Sequence, residues 1–357
     1  MTIIANFAIS TSCVLSLAGE TIGTLPAFAR EADELVALYR AMVLTRTFDA
    51  KATALQRTGR LGTYASSLGQ EAVAVGVAAA MQPNDVLLPS FREHGAQLWR
   101  GVTPKELFLY WGGDERGNDF AGPRQDFPNC VPVGSHAPHA VGVALAFRLR
   151  GEKRAAVCVF GDGATSKGDV AEALNMAGVW KVPAVFVVNN NAWAISVPLA
   201  KQTAAQTLAQ KAIAAGILGE QVDGNDVIAV RSIVERALAR ARQGEGPNLI
   251  EAVTYRLSDH TTADDASRYR DDAEVSRHWP AEPVARLRNH LMRSGIWNME
   301  KEESLLQECS HAVVSAADEY LAMAPQPRSA TFDQTYARLP ADLAAQRLGV
   351  ITKSGAL

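Results

Sequence analysis

The chain has 357 residues, 48% of them hydrophobic, with a formal net charge of −3 and no basic stripe; that is core enough for one large domain or two smaller ones and argues against nucleic-acid binding. The four cysteines, Cys13, Cys130, Cys158 and Cys309, form no CxxC pair, so reduced, mostly buried thiols of a cytoplasmic protein are expected, not a disulfide frame or zinc site. No apolar run approaches a membrane span, and the apolar N-terminus has no Lys or Arg before Arg30, so it lacks the positive region of a signal peptide.

Residues 1–30 are expected to form an extension packed on the body or on a partner subunit, with a flexible tail as the alternative. Residues 33–58 have the spacing of an amphipathic helix, with Leu35, Leu38, Tyr39 and Met42 on one face. "GQEAVAVGVAAAM" (69–81) predicts a helix of small residues, suited to close packing against other backbone. "DVLLPS" (85–90) reads as a short buried strand that delivers Phe91, Arg92, Glu93 and His94 at its end. Residues 112–132 are rich in Gly, Pro and Asp, a long loop of the kind that carries function. "HAVGVALAFRLRG" (139–151) predicts a helix that stops at Gly151.

A strand–helix–strand unit follows. "AAVCVF" (155–160) and "AVFVVN" (184–189) are continuous apolar strands, joined by the turn "GDGATSKGD" (161–169) and a helix over 169–180. Two fully apolar strands linked by one helix predict a parallel pair in a sheet covered on both faces, hence an α/β fold. Residues 226–243 predict another helix and "NLIEAVTYRL" (248–257) another strand. From about residue 275 the chain is charged and helical to its end.

Gly161 and Gly163 permit a tight turn after a strand, and the helix that follows points its free N–H groups and positive end into that turn. This is a phosphate cradle by construction, although a bare Gly-rich turn with an Asp cap is the simpler reading. It is neither a dinucleotide fingerprint nor a P-loop. Asp162 follows the first strand and "NNN" (189–191) ends the second, with Asp162 and Asn191 29 residues apart, about one βαβ unit. Parallel strands end on one edge of a sheet, where ligands bind, so Asp162 and Asn191 can converge. One carboxylate, one amide oxygen and the backbone carbonyl of Trp193 suit magnesium, with positions left for phosphate oxygens and water. Asn189 either faces the same point or caps the strand, and Asn190 is expected to point away and satisfy local backbone. An asparagine at a strand end is by itself a turn former.

These residues carry a family resemblance. "FGDGATSKGDVAEALNMAGVWKVPAVFVVNNNAWAIS" (160–196) resembles the alpha subunit of the thiamine diphosphate-dependent 2-oxo acid dehydrogenases, the bacterial pyruvate dehydrogenase type most of all. "GRLGTYASSLGQEA" (59–72), "LPSFREHG" (88–95), "KQTAAQTLAQKAIAAGILGEQVDGND" (201–226) and "DHTTADDASRYR" (259–270) share it. The resemblance implies a thiamine diphosphate-binding domain of the diphosphate type at 31–275, between the extension 1–30 and a helical C-terminal extension at 276–357. It implies that Asp162, Asn191 and Trp193 hold Mg²⁺, that Gly163 and Ala164 offer N–H groups to the diphosphate, and that Arg92 pairs with a diphosphate oxygen. Phe91 stands where the family has tyrosine. Val133 would contact the cofactor through its backbone, and His136 stands where glutamine is common, as a polar substitute or a new ligand. His260 would be the active-site histidine that binds cofactor and moves protons during acyl transfer; a surface loop histidine is the plainer reading. Thr261 stands where some members carry a regulatory phosphoserine.

The thiamine chemistry also needs a carboxylate on the aminopyrimidine ring. Only one α/β module is legible, and Glu71 falls in a helix of it, so the resemblance implies a separate beta subunit, an α2β2 heterotetramer and a lipoyl domain of a dihydrolipoyl acyltransferase as partners. The implied reaction is oxidative decarboxylation of pyruvate with reductive acetylation of the lipoyl group. A branched-chain 2-oxo acid dehydrogenase or a non-catalytic nucleotide-binding module are the other readings.

Overall fold

The computed structural model describes residues 2–333 and 335–353; Met1, Gln334 and the last four residues of the expected C-terminal extension lie outside the described residues. Its strands are β1 (Thr11–Ser12), β2 (Val86–Leu88), β3 (Ala156–Gly161), β4 (Ala184–Asn190), β5 (Trp193–Ala194), β6 (Val197–Pro198), β7 (Leu218–Asp223) and β8 (Asn248–Val253). Six of them form one sheet in the order β1-β7-β8-β4-β3-β2. Every pairing in it is parallel. β5 and β6 form a separate antiparallel ribbon.

The strands read as continuous apolar runs because both faces of the sheet are covered. Successive side chains alternate between faces. Val157, Val159, Val185 and Val187 enter one core with Val230, Ile233 and Leu238. Cys158, Phe160, Phe186 and Val188 enter the other with Ala140, Ala144, Val170 and Leu174. Helices Glu71–Ala80 and Val227–Gln243 cover the first face, and His136–Arg150 and Gly168–Trp180 the second. The small-residue helix is small for a reason. A Cβ on Gly76 would lie 2.8 Å from Val230 Cγ1, and overfilling of that kind costs about 1–3 kcal/mol.

Helix Ala32–Arg57 buries Leu35, Leu38, Tyr39 and Met42, as its periodicity requires. The charged C-terminal part is helical, and helix Met299–Leu321 packs on Ala32–Arg57 and Pro104–Trp111. No helix among the described residues is long and apolar enough to cross a membrane. All four cysteines are free, but only Cys158 and Cys309 are buried, with Cys13 and Cys130 half-buried, fewer than the expected majority.

Two elements on one side of the sheet, the edge strand β1 and its neighbour β7, carry no strong sequence pattern. β7 has three polar positions among its six residues, and β1 is a two-residue strand from the N-terminal extension. That extension therefore packs on the body from Thr11 onward, while Ile3, Ile4 and Phe7 stay exposed. Asp226 holds it there. One carboxylate oxygen caps helix Val227–Gln243 at the N–H groups of Ile228 and Ala229, both at 3.1 Å. The other accepts from Val14 at 2.7 Å and Leu15 at 2.6 Å. An N-cap contributes about 1–2 kcal/mol, and each buried N–H left without an acceptor costs about 1–3 kcal/mol. Asp226→Ala should therefore lower unfolding free energy in urea by about 2–5 kcal/mol and speed hydrogen exchange at residues 11–21; unchanged exchange there would show that the strand pairing alone holds the segment.

Candidate active site

The register of β3 on β4 sets Gly161 beside Asn189. The two chains therefore leave the sheet together, and the residues just past them share one cavity of about 260 Å³. Phe91, Arg92, Val133, Asp162, Gly163, Ala164, Asn191, Trp193 and His260 all line it, joined by Gln70, Glu93, His136 and Asn189. A larger hollow of about 790 Å³ lies elsewhere, between Gly112–Glu115 and the segment from Tyr320 to Thr335, away from the strand ends.

The turn after β3 is a 3₁₀ helix, Asp162–Ser166, leading into helix Gly168–Trp180. Gly163 is required by close approach: a Cβ there would lie 2.7 Å from the Cβ of Ala194. Asp162 is 1% exposed. Burial pushes its carboxyl above the ordinary range, against the lowering effect of Gln202, of backbone N–H groups and of the charge on Arg256. Gln202 Nε2 donates to Asp162 Oδ2 at 2.8 Å. No cation lies within ion-pair reach of Asp162 among the described residues.

The three asparagines do different things. Asn191 Nδ2 donates to Gln70 Oε1 at 2.9 Å, and its Oδ1 accepts from the Trp193 N–H at 3.3 Å. Asn190 caps local backbone through Ala192 N–H, but its amide also donates to buried Glu251 at 2.7 Å, a partner the sequence did not suggest. Asn189 lines the cavity, and its Oδ1 is buried without a donor. Beyond them, Ala192 and Ile195 hold φ of 72° and 57°, a costly conformation for a β-branched residue. Arg256 offsets that cost by donating to the carbonyl oxygens of Ile195 at 2.8 Å and Trp193 at 3.3 Å.

Arg92 and His260 are built together. Arg92 NH1 donates to Ser66 O at 2.6 Å, and NH2 reaches His260 O at 2.6 Å and His260 Nδ1 at 2.9 Å. Arg256 NH1 lies 3.3 Å from the same Nδ1. A guanidinium only donates, so His260 Nδ1 is unprotonated and the proton sits on Nε2. Burial, with Arg92 and Arg256 beside it, brings the His260 pKa down to about 4. Burial and Arg256 bring Arg92 down to about 10. Neither arginine has a carboxylate in ion-pair reach among the described residues. Asp49 anchors the assembly from the helix Ala32–Arg57. It accepts from Tyr64 Oη at 2.8 Å, Ser66 Oγ at 2.6 Å and Ser67 N at 2.6 Å, fixing the carbonyl that grips Arg92. Tyr64 then pins the His260 loop, bonding Thr262 through both its backbone groups at 3.0 and 2.8 Å.

His136 falls in the first turn of helix His136–Arg150, which begins three residues earlier than the periodicity suggests. Its Nε2 is bonded to Val159 O at 2.8 Å and its Nδ1 is buried with no partner. The neighbours His94 and Glu93 are structural. Trp111 donates to His94 Nε2 at 3.0 Å, and Glu93 accepts from Ser90 at 2.6 Å. Glu71 lies at the start of its helix and pairs with Arg46 at 2.8 Å. Sequence reading passed over Gln70, Gln202, Arg256 and Asp49. The only signal for Arg256 was a charge at the end of an apolar strand; the other three had none that separates them from surface polar residues.

A folded-state pKa below the unfolded value means that the unfolded chain binds the proton first. The His260 contribution to stability is therefore intact above about pH 6.5 and is lost as pH falls toward 4. Nitrogen-15 spectra of labelled imidazole should show the Nε2–H tautomer with titration near pH 4, and His260→Gln should flatten stability between pH 6.5 and 4. A titration at pH 6.5 would mean that the loop is not closed on Arg92.

Comparison with known proteins identifies the family. The family model of the dehydrogenase E1 component matches residues 39–327. The chain is 44% identical to the 3-methyl-2-oxobutanoate dehydrogenase subunit alpha of Mycobacterium tuberculosis over 87% of this chain and 84% of that protein. It is 40% identical to the pyruvate dehydrogenase E1 component subunit alpha of Staphylococcus aureus over 88% of this chain and 85% of that protein. With the family model spanning most of its length and relatives of this identity along nearly all of it, the chain belongs to the dehydrogenase E1 component family, as an alpha subunit of a 2-oxo acid dehydrogenase.

Proposed function

We propose that this chain supplies the diphosphate- and metal-binding half of a thiamine diphosphate-dependent active site that decarboxylates a 2-oxo acid and passes the acyl group to a lipoyl domain. One observation carries the reading: a buried carboxylate with no ion-pair partner among the described residues, Asp162, and a buried guanidinium with none, Arg92, line the same cavity. Unpaired buried charges cost several kcal/mol each. Magnesium diphosphate offers both missing signs at once. Three buried polar atoms on the same walls, Gln70 Nε2, His136 Nδ1 and Asn189 Oδ1, also lack protein partners, which suits a polar guest.

In this reading Asp162 Oδ1, Asn191 Oδ1 and the Trp193 carbonyl hold Mg²⁺. The Trp193 oxygen keeps a second lone pair beside its bond to Arg256. Gly163 and Ala164 offer backbone N–H groups and the start of the helix dipole to the diphosphate. Arg92 neutralises a phosphate oxygen, Phe91 supplies an apolar wall, and Val133 meets the cofactor through its backbone. Neutral His260 holds its proton on Nε2 and offers that N–H as a hydrogen-bond donor to a reacting oxygen. When bound, thiamine diphosphate supplies the electron sink for loss of CO₂. Glu71 and Glu93 are committed to Arg46 and Ser90, so the carboxylate for the pyrimidine ring is proposed to come from a beta subunit in an α2β2 heterotetramer. A lipoyl domain of the acyltransferase and a cytoplasmic location complete the reading.

Pyruvate is the substrate read from "VGSH" and "QTLAQKA". The 44% identity to a subunit named for 3-methyl-2-oxobutanoate favours a branched-chain 2-oxo acid as the second reading.

Asn191→Ala should abolish magnesium-dependent thiamine diphosphate binding in calorimetry while leaving the melting temperature within a few degrees; retained binding would remove Asn191 from the metal site. The chain alone should not turn over. With its beta partner, kcat/KM for pyruvate should exceed that for 3-methyl-2-oxobutanoate by at least tenfold, and the reverse order would establish the branched-chain reading.

A further inference from the structure

The metal reading requires the oxygen of the Asn191 amide, not its nitrogen, to face the ion. An amide can present either, so something must choose. The backbone N–H of Trp193 can only donate, and the Asn191 atom 3.3 Å from it is therefore Oδ1. This leaves Nδ2 pointing at Gln70, 2.9 Å away, so the Gln70 atom there must be the acceptor Oε1. Gln70 then has its own Nε2 left over. That atom is buried without an acceptor, in a residue 1% exposed that lines the cavity.

We infer that Gln70 is a positioning residue for Asn191. Its Oε1 locks the Asn191 amide with Oδ1 toward a divalent cation, and its Nε2 is the donor for an anionic oxygen of the same ligand. The inference rests on the magnesium–diphosphate reading of the site and adds to it the residue that orients the ligand. Gln70 can do this because it stands at the N-cap of helix Glu71–Ala80, with its backbone N–H held by Ser67 O at 2.9 Å. The side chain is thus fixed at its root by the same 64–67 segment that Asp49 anchors. Partners that orient a metal ligand typically contribute 10–100-fold in metal affinity.

The test uses the full-length chain with its beta partner, thiamine diphosphate, and Mg²⁺ as the titrant. Trp193 fluorescence quenching reports binding, and the melting temperature without metal reports folding. Gln70→Leu removes the acceptor and should raise the half-saturating Mg²⁺ concentration by about 10–100-fold. Gln70→Glu keeps an acceptor for Asn191 Nδ2 and should stay within about threefold of wild type in Mg²⁺, while binding thiamine diphosphate more weakly through loss of the donor. An Asn191→Asp background has two equivalent ligand oxygens and needs no orientation. There Gln70→Leu should cost less than threefold, an interaction that general loosening of the site would not produce. A Gln70→Leu midpoint equal to wild type overturns the inference while leaving the magnesium–diphosphate reading intact, and so does an equal loss in both backgrounds. Failure of the wild-type pair to bind thiamine diphosphate with Mg²⁺ overturns both. If Gln70→Leu does not fold, Gln70→Glu decides: a tenfold or larger rise in its Mg²⁺ midpoint overturns the inference, and a wild-type midpoint with weakened cofactor binding supports it.

Discussion

The site depends on the parallel register of β3 and β4. Because Gly161 sits beside Asn189, Asp162 and Asn191 leave the sheet at neighbouring strand ends. A one-residue slip would turn every side chain of the strand to the other face. Val157 and Val159 would then leave one core, and Cys158 and Phe160 the other. The register is therefore enforced by two buried apolar faces, and the polar edge inherits its precision from them.

Around that edge the chain accumulates buried charge it does not balance. Among the described residues Asp162, Arg92 and Arg256 form no ion pair, while other charges of the fold are paired, as Arg46 is with Glu71 and Arg286 with Asp223. Such imbalance destabilises the folded state, and a ligand that supplies the opposite charges returns that stability by binding the native form alone. The supporting groups are neutral or fully bonded: Asp49 with its Tyr64 and serine donors, Tyr269 on Asp264, and Gln70 on Asn191.

The incomplete side of the cavity is as informative as the complete one. Val131, Val133, Ile195 and Val197 are exposed, and Val133 and Ile195 also line the cavity mouth. A single α/β sheet thus presents one finished wall of a site and an apolar rim next to it. Arg256 bonds the carbonyl oxygens of Trp193 and Ile195 and so supports the left-handed turn of the hairpin at that rim.

Much of this is legible in the sequence. Apolar runs long enough for strands, helical spacing between them, and a Gly-Asp-Gly turn paired with an Asn-rich strand end determine a parallel α/β sheet and a polar site at its edge, because periodicity and turn chemistry are local properties. The faces buried by Leu35, Leu38, Tyr39 and Met42 followed from spacing alone. The edge strand β1 and its neighbour β7 were not legible, since β1 is two residues long and β7, only partly buried, shows no continuous apolar run. Nor were the long-range partners. Asp49 with Ser66, Gln70 with Asn191, and Arg256 with Trp193 are separated by 17, 121 and 63 residues. Nothing local marks a glutamine that will orient an amide or an arginine that will be buried without a counterion. The sequence determined which residue types stand at the ends of the strands; tertiary structure decided which oxygen of each faces the cavity, because orientation is set by partners that only folding brings within hydrogen-bond distance.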